Sequence, residues 1–102
     1  MYLIQSLLPL NDNAGRPFPK DLYSRVRTEL VDRFGGLTVY LRAPVRGLWQ
    51  EETGQTVRDD LIIYEVLAKK LDVRWWRRYR ATLEARFEQQ TLVVRAHEVI
   101  ML

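Results

Sequence analysis

The chain has 102 residues, 47% hydrophobic and 28% charged, with no cysteine and a formal net charge of +3. That length holds one domain, in which folding buries roughly 65% of the unfolded surface, and the composition excludes a disordered chain. Without cysteine there is no disulfide, thiolate nucleophile or thiolate metal ligand, and a single histidine excludes a multi-histidine metal site.

The chain opens on an apolar run. Met1 to Leu8 reads as a strand, with Tyr2, Ile4 and Leu8 on one side, Leu3, Gln5 and Leu7 on the other, and Pro9 as its end. The run is too short to cross a bilayer and carries no basic leader, so we expect no membrane contact and a soluble, cytoplasmic protein. Asn11 to Pro17 is rich in turn formers and reads as a loop. From Pro19 the spacing changes. Leu22, Val26, Leu30 and Phe34 recur every four residues, with Tyr23 and Val31 beside them, as on an amphipathic helix; Gly35-Gly36 supplies its left-handed stop.

The centre of the sequence reads as one long hairpin, from Leu37 to Trp49, over Thr53-Gly54-Gln55, and back from Thr56 to Leu67. Its outgoing arm alternates Leu37, Val39 and Leu41 with Thr38, Tyr40 and Arg42, and Pro44 confines it to a sheet edge. The return arm, Leu61 to Leu67, is apolar on both alternating sets except at Glu65, as expected of a central strand. Asp72 then stands as the N-cap of a second helix running to about Glu88, whose stripe is Trp76, Tyr79, Leu83 and Phe87, with Trp75 alongside. Thr91 to Leu102 closes the chain as a final strand, Leu92, Val94 and Ala96 alternating with Val93, Arg95 and His97. The order βαββαβ predicts a ferredoxin-like α+β sandwich: two helices on one face of an antiparallel sheet, in strand order 4-1-3-2.

Placing Ile62 and Val66 beneath the helices sends Leu3, Gln5, Leu7, Thr38, Tyr40, Arg42, Leu61, Ile63, Glu65, Leu67, Val93, Arg95 and His97 to the open face. An apolar patch of that size marks an interface, so a homodimer closing over it is expected. Gln5, Tyr40, Arg42, Glu65, Arg95 and His97 then rim or enter an apolar pocket suited to a small ligand. If the pocket is catalytic, Glu65 or His97 transfers the proton, Tyr40 donates and Arg42 or Arg95 anchors an anion; the alternative is a set of ion pairs across the interface.

A second candidate is an anion-binding patch. Between Lys69 and Arg80 stand six basic residues, Lys69, Lys70, Arg74, Arg77, Arg78 and Arg80, against the single acid Asp72. Arginines in the first turns of a helix oppose its dipole, which invites an anionic partner; otherwise they are a solvated face, one or two of them paired with Glu84 or Glu88. Nucleic acid is disfavoured. The third strand of an RNA-recognition domain carries a basic and aromatic run, whereas Val57-Arg58-Asp59-Asp60 places two carboxylates there, on opposite faces where they cannot share a metal. No phosphate loop, nucleophile triad or cofactor motif is present.

The run Arg33-Phe34-Gly35-Gly36-Leu37-Thr38-Val39, with Gly47-Leu48-Trp49 and Gly54 to Asp60, resembles small bacterial domains of the ferredoxin-like, dimeric α/β-barrel type. The resemblance covers the middle half of the chain. It implies pairing through the sheets and brings no established activity; from the residues themselves no metal and no cofactor are expected.

Overall fold

The computed structural model describes residues 1–42 and 61–102. Its elements run β1 (Tyr2–Pro9), α1 (Lys20–Phe34), β2 (Thr38–Arg42), β3 (Leu61–Ala68), α2 (Val73–Arg86) and β4 (Val94–Glu98). All strand pairs are antiparallel, in the order β2-β3-β1-β4, which is the expected ferredoxin-like sandwich. Pro44, the hairpin turn at Thr53-Gly54-Gln55 and the Val57 to Asp60 run lie outside the described residues.

The two central strands hold the sheet together because they share the longest register, from Tyr2 opposite Ala68 to Pro9 opposite Leu61. Their helix-side positions supply the core: Ile4, Leu8, Ile62, Tyr64 and Val66 pack against Val26 and Leu30 of α1 and Trp76, Tyr79 and Leu83 of α2. Phe87, just past α2, is fully buried and meets Phe18 and Tyr23 with ring centroids 5.2 and 5.3 Å away.

The helix ends follow from local chemistry. Asp72 caps α2 by accepting from the Trp75 amide at 3.0 Å. Gly35 closes α1 in the left-handed region at φ 79°, donating its amide to the Val31 carbonyl at 2.8 Å. Pro19 sits one residue before α1, where its lack of an N–H costs nothing. The loop between β1 and α1 is closed by Asp12, whose carboxylate accepts from the amides of Ala14 and Arg16.

Two expectations need correction. The last strand is shorter than Thr91 to Leu102: pairing to β1 runs only from Val94 to Glu98, because Tyr2, opposite Glu98, is where β1 begins. Beyond it Ile100 and Leu102 are exposed. Ile63, assigned to the open face, is only 6% exposed, standing in the sheet between its register partners Leu7 and Tyr40. Leu3, Leu7 and Leu61 are likewise half-buried, which leaves Leu67 and Val93 as the well-exposed members of the anticipated patch.

Candidate functional site

Register alone aligns three polar residues on the open face: Gln5 stands opposite Glu65 on one side and opposite Arg95 on the other. Tyr40 lies two residues along β2 from Thr38, the register partner of Glu65, a diagonal that an aromatic side chain spans. The result is a hydrogen-bonded row across all four strands. Arg95 Nε donates to Gln5 Oε1 at 2.9 Å, Gln5 Nε2 donates to Glu65 Oε1 at 2.8 Å, and the Tyr40 hydroxyl donates to Glu65 Oε2 at 3.1 Å.

Glu65 is the pivot of the row. Both of its donors are uncharged, so the nearest cation in the row, Arg95, reaches it only through the Gln5 amide. The bond from Tyr40 and the carboxylate's charge raise the Tyr40 pKa, so Tyr40 remains a neutral donor at physiological pH. Beside this row Leu3, Thr38, Glu65 and Leu67 form one wall of a depression of about 310 Å³, and the turn from Phe34 through Gly35-Gly36 to Leu37 forms the other. A carboxylate thus borders a small hollow whose lining is part apolar and part polar, a mixture that a small-ligand site can have.

Of the six residues proposed from the sequence, Gln5, Tyr40, Glu65 and Arg95 therefore come together. Arg42 stands opposite Leu61, four residues along β2 from the register partner of Glu65. His97 stands opposite Leu3, with the whole of β1 between it and β3. Two strand spacings put it about 10 Å to the side of Glu65, so the two do not meet to share a proton.

The residues of the basic patch lie on the surface. Lys69, Lys70, Arg74, Arg77 and Arg78 are exposed, and only Arg80 approaches a carboxylate among the described residues, its Nε lying 4.0 Å from Glu84 Oε2. The adjacent tryptophans are not open stacking platforms. Trp76 is buried and stacked on Phe34, and Trp75 stacks on Tyr79 while the Arg33 guanidinium sits 4.2 Å over its ring.

Sequence reasoning passed over a second carboxylate. Glu29 on α1 takes a two-pronged contact from Arg86 on α2, with Arg86 Nη2 at 2.7 Å from Oε2 and Nη1 on Oε1, and the Tyr79 hydroxyl donates to Oε1 at 3.1 Å. The Arg86 hydrogen bonds hold the Glu29 carboxyl below the usual range despite partial burial, and burial first, then Glu29, raises Tyr79. Arginine on a distant helix leaves no trace in local spacing, so no signal in the sequence marks this pair.

The fold and the row define a small ferredoxin-like domain with a polar stripe on the sheet face opposite its helices. The chain is similar in structure to a phage SAM lyase solved in complex with S-methyl-5'-thioadenosine, with a TM-score of 0.59 at 16% identity over 95% of this chain and 80% of that one. At that identity the likeness concerns the fold. No protein-family model matches the chain, and no curated protein does.

Proposed function

We propose that this protein is a small-ligand-binding module that seats its ligand on the open sheet face beside Glu65, with a second copy of the chain covering that face. The observation that carries the reading is a half-buried carboxylate whose two partners are neutral donors, at the border of a hollow of about 310 Å³. Such a carboxylate has unspent charge and suits a ligand bearing a cation or a strong donor. The exposed apolar side chains Leu67 and Val93 suit the second copy.

The phage lyase of the same fold supplies the first probes. SAM carries a sulfonium cation and S-methyl-5'-thioadenosine is the neutral thioether, so the pair reports whether charge matters. Calorimetric titration of both should show binding that favours SAM and that Glu65→Gln weakens about tenfold, the effect of removing one charge-assisted contact. Absence of binding by both, or equal binding by the variant, refutes the choice of ligand or the choice of residue respectively. Light scattering should give twice the 12.1 kDa chain mass; a stable monomer removes the second copy from the account.

A second reading, a metal-free enzyme at that interface, is favoured by the direct bond between the Tyr40 phenol and the Glu65 carboxylate, a donor and a base held in one place. Chromatography of SAM incubated with the protein would show S-methyl-5'-thioadenosine appearing if that reading holds, and unchanged SAM if it does not.

A further inference from the structure

A second concavity lies away from the Glu65 hollow, between α2 and the outer strand β4, with a volume of about 260 Å³. Its floor is apolar, formed chiefly by Ile4, Trp76 and Val94, all on the helix side of the sheet. Its rim is cationic: Arg77 and Arg80 come from α2, while Arg95 borders the cleft along β4 but turns its side chain to the other face, onto Gln5. We infer that this cleft binds a small amphipathic anion, an aromatic or aliphatic body bearing one sulfonate, carboxylate or phosphate group.

The charges on the rim are poorly matched from within the chain. Arg77 has no carboxylate within ion-pair distance among the described residues. Arg80 faces Glu84 at 4.0 Å, too far for a hydrogen bond, and the same Glu84 oxygen accepts from the Leu92 amide at 3.0 Å. Two guanidiniums from α2 thus border an apolar floor. An anionic head on the rim relieves their repulsion, and an apolar body in the cleft removes Val73 and Val94 from water. The volume falls just below the roughly 300–1,000 Å³ of drug-sized sites, so the ligand is small.

The test uses the whole chain and two dyes of almost the same shape. 1-Anilinonaphthalene-8-sulfonate carries the anionic group; N-phenyl-1-naphthylamine lacks it. We expect saturable binding of the sulfonate, seen as dye fluorescence with quenching of tryptophan, weakened by salt and at least about tenfold tighter than that of the neutral dye. Replacing both Arg77 and Arg80 by Gln should remove that preference without changing the melting temperature, because both side chains are exposed. Val94→Trp keeps the charges, fills the floor and should abolish binding. Equal binding of the two dyes, or sulfonate binding undiminished in the double variant, overturns the inference.

Discussion

Glu29 and Glu65 are two carboxylates in one small domain, and their surroundings differ in kind. Glu29 bridges the two helices, locked by a guanidinium fork and a tyrosine hydroxyl, with the Arg86 side chain only 13% exposed. Glu65 lies on the far side of the sheet and holds an amide and a phenol, with no cation in direct contact among the described residues. The first arrangement consumes its charge in holding α1 to α2. The second leaves the charge available at a hollow. On the proposed reading, the helix side of this molecule is built for stability and the open side for contact with something else.

Four substitutions break or sharpen that contrast. The largest effect belongs to the helix side: Phe87→Ala removes a fully buried ring and should cost about 3–5 kcal/mol, measured by urea unfolding. Next, Glu29→Gln strands the Arg86 charge and should cost about 2 kcal/mol, near 10 °C in melting temperature for a domain of this size. The pH dependence follows. Because Arg86 lowers the Glu29 pKa in the folded state, its contribution is complete above the unfolded carboxyl value of about 4.3 and fades as pH falls through the lower folded value. Glu29→Gln should therefore flatten the acid limb of a stability profile taken between pH 7 and pH 2.

On the open side Glu65→Gln should change stability by less than about 1 kcal/mol, since an amide oxygen still accepts from Gln5 or Tyr40. Smallest of all is Ser6→Ala. The Ser6 hydroxyl is buried on the helix side with no hydrogen-bond partner among the described residues, so its removal should be neutral or stabilising by up to about 1 kcal/mol in the same melts.

The fold was legible because each element carried its own period. The four-residue recurrence of Leu22, Val26, Leu30 and Phe34 and the stripe from Trp76 to Phe87 announced the helices, and Asp72 and Gly35 marked two of their ends. The polar row was half legible. Gln5 and Glu65 each interrupt an otherwise apolar set on the open face of a central strand, and a polar residue in such a set needs a partner. That they answer each other depends on register, which no local pattern states. His97 shared the alternation of Arg95 and so looked equivalent to it, yet a shift of two residues along the strand takes it out of the row. The burial of Ile63 and the Glu29–Arg86 fork depend on packing between distant segments, and local spacing carries neither.

The most direct test sets Glu65→Gln beside Glu29→Gln and records, for each, the melting temperature and the calorimetric affinity for SAM. Glu65→Gln should melt within a few degrees of the parent, about 3 °C, and bind about tenfold more weakly; Glu29→Gln should melt about 10 °C lower and bind as the parent does while folded. A Glu65→Gln protein that melts as low as Glu29→Gln and binds SAM as well as the parent would contradict the account, for it would make Glu65 a second support of the fold.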